Sequence, residues 1–176
     1  MSYQLLSERS AALSLQYPED DGLWEGSPFN WVRNKSAPTK GKVGREFAAS
    51  LVEAAGFQVM RSGMALTANG KALRVKLSLM GEGGTLMFEQ IKNDDFDYLL
   101  CIGLYPENSY GWLIPKEEML VNGILQEREG LSGQHIGDAD PSDFWITDLN
   151  ASQPFTWLQP YGGTTAALIP VIQQNL

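Results

Sequence analysis

Asn69-Gly70 separates two short runs, "MALTA" and "KALRVKLSL", and leaves the backbone little choice there. Asn-Gly accepts the two left-handed φ values of a tight two-residue hairpin, so the flanking runs are expected to pair antiparallel. In the second run Leu73, Val75, Leu77 and Leu79 alternate with Arg74, Lys76 and Ser78. Alternate side chains of a strand point to opposite faces. One face therefore belongs to a core, and the other carries Arg74 and Lys76 side by side, about 7 Å apart.

A sheet needs covering layers, and the rest of the chain offers them. "FDYLLCIGLY" is a continuous apolar run, as in a strand buried on both faces, and "YGWLIPK" is its partner across "PENS". Helices are expected in "SYQLLSERSAALSLQ" and in "VGREFAASLVEAAG", where Val43, Phe47, Leu51 and Val52 share a face and Gly56 is a stop. "TLMFEQIKNDD", after the turn "GEGG", reads as a short helix, and so does "KEEMLVNGIL". "YPEDDGLWEGSPFNWV" reads as an irregular segment anchored by Trp24, Phe29 and Trp31, followed by the basic stretch "RNKSAPTKGK". The tail mixes a strand with aromatic loops. The order predicts an α/β (α+β) fold, a mixed β-sheet flanked by helices, in a single domain over 1–176. Within it, 1–41 is an N-terminal helix and basic loop, 42–120 the core, and 121–176 a C-terminal extension.

Charge and cysteine content narrow the chemistry. Cys101 is the sole cysteine and His135 the sole histidine, which excludes a structural zinc site and an intrachain disulfide. Any metal would be a hard, oxygen-bound ion such as Mg²⁺. No apolar run reaches the roughly 20 residues of a membrane helix, so no membrane partner and a cytoplasmic location are expected. The net charge of −8 argues against nonspecific nucleic-acid binding, but the charges are segregated. From Arg33 to Lys76 there are nine basic and two acidic residues; from Glu82 onward there are three and fourteen. A basic face on an acidic body is one meaning of that pattern, and surface charge scattered by folding is another.

Four stretches together resemble the PD-(D/E)XK nuclease superfamily, especially bacterial restriction-endonuclease-like proteins. They are "SPFNWVRNKSAPTKGKVGREFAASLVEAAGFQV", "LRVKLSL", "FEQIKNDDFDYLLCIGLYPENSYGWLIPKEEML", and "GQHIGDADPSDFWI" with "WLQPYGG". The resemblance implies a restriction-endonuclease-like core and Mg²⁺-dependent hydrolysis of duplex DNA. In such sites carboxylates hold the metal, which polarises the phosphoryl group and activates water, and a lysine orients that water. Carried onto this chain, the catalytic set is Lys76, Glu89 and Glu46, with Glu46 and Glu89 as metal ligands. DNA contacts fall to Lys40, Lys42, Arg74, Gln90, Lys92, Gln134 and His135. A homodimer would suit a two-fold-symmetric DNA site.

The chain departs from the family pattern at two places. Arg74 stands where the glutamate of Glu-x-Lys belongs, and residues 54–81 contain no acid. Glu89, separated from Lys76 by the twelve residues 77–88, is the nearby acid that could replace the missing one from a following helix. Three functions stay open: a Mg²⁺-dependent endonuclease with a rearranged site, a catalytically inactive nuclease fold that binds DNA or another protein, or an acidic C-terminal half that imitates nucleic acid or docks on a basic partner. Blander roles stay open too. Arg74 and Lys76 would then be solvent-facing charges, Glu46 a partner for basic neighbours, and Gln90 a backbone brace; His135 would make a polar contact.

Overall fold

The computed structural model of the chain describes residues 20–63, 65–81, 83–125 and 143–176. The helix expected near the N-terminus, and with it Gln134 and His135, lies outside the described residues. The described strands are β1 (Val59–Ser62), β2 (Ala65–Ala68), β3 (Lys71–Leu79), β4 (Leu86–Lys92), β5 (Tyr98–Leu104), β6 (Ser109–Pro115), β7 (Asp143–Leu149) and β8 (Gly162–Thr164). The helices are α1 (Asn30–Arg33), α2 (Ala37–Ala54), α3 (Lys116–Val121) and α4 (Thr165–Asn175).

Asn69 and Gly70 turn with φ of 47° and 75°, so β2 and β3 form the expected hairpin. β1 extends it outward, while β3 runs parallel to β5 on its other side. β6 pairs antiparallel with β5, and β8 closes the far edge, giving the mixed order β1-β2-β3-β5-β6-β8. β4 and β7 pair separately as a second, small sheet.

The large sheet is covered on both faces, which is why β5 is apolar throughout. Leu100, Ile102 and Leu104 face the helices, packing with Ala48, Ala49 and Val52 of α2 and Leu168 and Ile172 of α4. Leu99 and Cys101 face the small sheet, with Phe88, Ile91, Ile146 and Leu149. Burial pushes the Cys101 thiol well up, and the opposing charge of neighbouring Lys76 does not offset it, so this is a packed thiol and not a reactive one.

Helix α2 starts at Ala37 with Pro38 in its first turn. The basic stretch expected to be a loop is thus largely helical. Its end follows the sequence: Gly56 takes φ 98°, and Phe57 N–H bonds to Val52 O at 3.2 Å. The packing face is centred on the small residues Gly44, Ala48 and Ala49, while Val43, Phe47 and Leu51 flank it half-buried. A Cβ on Gly44 would stand 2.8 Å from Leu77 Cβ, so the glycine lets α2 lie close on β3.

Two expectations need correction. Residues 86–92 form a strand, not a helix. Leu86 and Phe88 alternate inward, and then the register shifts so that Ile91, three residues on, is the next buried side chain. Gln90 takes φ 53° at that shift. This is a β-bulge, and the uneven apolar spacing it creates imitates a helical one. Trp31 is the second correction. Trp24 is buried and Phe29 meets Phe47 edge-on at 6.1 Å, as anchors should, but Trp31 is 51% exposed.

Helix α4 was not foreseen, because "TTAALIPVIQQN" carries no charge and contains Pro170. Thr164 caps it, accepting from Ala167 N–H at 3.3 Å, and Tyr98 OH donates to Asn175 O at 3.1 Å. Among the described residues no helix is long and apolar enough to cross a membrane.

Candidate nucleic-acid-binding cleft

β2 is short, and its pairing with β3 ends at Leu73, whereas β5 follows β3 to Leu79. From Arg74 onward β3 therefore has one flank with no neighbouring strand among the described residues. The first turns of α2 and the bulged part of β4 stand around that flank. Between them lies a cleft of about 700 Å³, lined by residues that include Pro38, Lys40, Arg45, Arg74, Lys76, Glu89 and Gln90.

The polar face of β3 holds β4 in place. Ser78 Oγ accepts Met87 N–H at 3.0 Å, and Lys76 Nζ donates to Gln90 O at 2.6 Å. Arg74 Nη1 meets Asp94 Oδ2 just beyond β4 at 2.8 Å, and Lys116 Nζ donates to Asp94 O at 2.5 Å. Strand periodicity put Arg74, Lys76 and Ser78 on one face, and the second sheet gives that face its partners.

The bulge decides what the cleft sees. With Phe88 and Ile91 both in the core, Glu89 and Gln90 are two consecutive outward residues, and both line the cleft. The left-handed φ of Gln90 costs about 1–2 kcal/mol for a residue with a Cβ, offset by the Lys76 hydrogen bond to its carbonyl. Gln90→Val, β-branched at a positive φ, is expected to lower unfolding free energy by roughly 2 kcal/mol, with Gln90→Gly within about 1 kcal/mol of wild type. Urea unfolding measures both; equal losses would contradict the strained bulge.

Of the residues singled out in the sequence, Lys40, Arg74, Lys76, Glu89 and Gln90 are brought together here. Lys42 and Lys92 are not among the cleft-lining residues, nor is Glu46. Glu46 Oε2 instead pairs with Arg61 Nη2 at 3.5 Å, and the same guanidinium reaches Glu53 Oε1 at 3.3 Å. Arg45 also lines the cleft, and no motif in the sequence marks it. No sequence signal identified Asp94 as the partner of Arg74.

The donor set does not fit Mg²⁺. That ion demands near-octahedral oxygen ligation, whereas Glu89 is the single carboxylate among the described lining residues, facing Lys40, Arg45, Arg74 and Lys76. Among the described residues no three His, Cys, Asp or Glu side chains gather as a ligand group. The arrangement is suited to holding an anion: cations from α2 and β3 converge, with the first turn of an 18-residue helix between them.

No family model and no curated protein matches the chain. Among solved structures, one described as "Crystal Structure of MepB" is similar at 21% identity, covering 61% of this chain and 85% of that one, with a TM-score of 0.40. A likeness of that size carries no functional inference.

Proposed function

We propose that the cleft binds the phosphate backbone of DNA, and that this chain is a nuclease-like DNA-binding protein that holds its nucleic acid without hydrolysing it. One observation carries the reading: Lys40, Arg45 and Lys76, from two different elements, line one cleft with a single described carboxylate, and Arg74, paired with Asp94, lines it too. Phosphate contacts supply most of the nonspecific affinity for DNA, through release of condensed counterions. The first turn of α2 adds the positive end of a helix dipole and, at Ala37, a backbone N–H without an intrahelical partner, while Pro38 has none.

The net charge of −8 does not oppose this, because residues 26–45 contain five cations and no acid. A local basic face on an acidic body draws DNA to one side and repels it from the rest. The resemblance of "LRVKLSL" and "FEQIKNDDFDYLL" to nuclease segments supports DNA as the polyanion. Hydrolysis is left out because Glu46 is committed to Arg61 and Arg74 occupies the position of the usual acid.

Supercoiled plasmid incubated with the protein and Mg²⁺ or Mn²⁺ is expected to be retarded on a gel and recovered intact after the protein is removed. Metal-dependent nicking, lost in Lys76→Ala, would instead establish the endonuclease. Unretarded plasmid would defeat both.

A further inference from the structure

Trp31 is a large aromatic side chain, 51% exposed, in a segment where Trp24 and Phe29 are committed to packing. Its surroundings are cationic. Lys35 Nζ lies 6.0 Å from the Trp31 ring centroid, and Arg33 lies over the neighbouring Trp24 ring at 5.4 Å. Lys35 is two residues before Ala37, which lines the cleft, so their backbones are at most about 7 Å apart. Trp31 itself lies six residues before Ala37, on the acid-free stretch 26–45 that leads into the cleft-lining turn of α2.

We infer that Trp31 is a stacking platform for an unpaired nucleobase, and that the cleft and its approach together take a single DNA strand in preference to a closed duplex. This rests on the cleft reading above. An exposed indole presents its π-face to any base, and stacking on such faces is tolerant of sequence. Lys35 Nζ stands over one face of the ring, so the base would take the other face and Lys35 its phosphate, as Lys40 and Lys76 would take phosphates in the cleft. A blunt duplex keeps its bases stacked on each other and has none to offer the ring. The structural role suggested by the sequence, a packing anchor, does not account for a ring half in solvent.

Fluorescence anisotropy with three labelled DNAs of about 16 nucleotides per strand separates stacking from charge: a single strand, the same strand with abasic central positions, and a blunt duplex. Trp31→Ala is expected to weaken single-strand binding about tenfold. It should change abasic-strand and duplex binding less than about twofold, and Trp31→Phe should keep most of the affinity. Equal losses on all three DNAs, or no loss on any, would overturn the platform. If the duplex binds and Lys76→Ala weakens it while Trp31→Ala changes nothing, the stacking inference fails and the cleft reading stands. If wild-type protein binds none of the three, both fail.

Discussion

Lys76→Glu is expected to weaken DNA binding about 100-fold near 0.1 M salt, which corresponds to roughly 2.7 kcal/mol. The substitution removes one cation from the cleft and places a carboxylate beside Glu89 on the path of a phosphate. It also removes the donor to the Gln90 carbonyl at a left-handed position, so some loss of stability accompanies it. Lys40→Glu separates the two effects. Lys40 sits in the opening turns of α2, on the far wall from β4, and its reversal should still cost at least about tenfold in affinity. Far-ultraviolet circular dichroism confirms that each variant is folded. Unchanged affinity in folded Lys76→Glu would remove the cleft from the account.

Phe88→Ala is expected to have the largest effect on stability. Phe88 is fully enclosed, meets Trp112 edge-on at 6.5 Å, and joins the small sheet to the large one. Truncating a buried phenylalanine costs about 3–5 kcal/mol, or about 10 °C in Tm for a chain of this size. Met87→Ala, one residue away and 44% exposed, should stay within about 0.5 kcal/mol. That contrast tests the strand directly, because alternation separates neighbours that share the same chemistry. Comparable losses at both positions would contradict β4 and the bulge that carries Glu89 and Gln90 to the cleft.

Much of this architecture is legible in local signals. Asn69-Gly70 and the alternation over 73–79 determine the hairpin and the polar face of β3, because both act within a few residues of chain. The apolar run of β5 and its return through β6 are legible for the same reason. Bulged β4 is not: its inward residues 86, 88 and 91 break the strand period, and β7, which pairs with it, lies more than fifty residues away. Glu89 does reach the neighbourhood of Lys76, but from a strand of a second sheet and not from a helix folded back. Glu46 shows the limit of a helix pattern. Periodicity gives its angle around α2 but not which element that angle meets, and the neighbouring Arg45 is the one that turns to the cleft. The exposure of Trp31 is not legible in the sequence, because α1 spans four residues, too few for periodicity to tell its outward face from its inward one.

Several cations of this cleft are expected to neutralise DNA phosphates at once, and the salt dependence of binding reads that number. For B-DNA the slope of log Kobs against log[salt] is about −0.9 per phosphate neutralised. Wild-type protein with a short duplex should give a slope near −3, the value for about three contacts, and Lys76→Ala should reduce its magnitude by about 1. A wild-type slope near zero, or a slope that Lys76→Ala leaves unchanged, would contradict a phosphate-binding cleft.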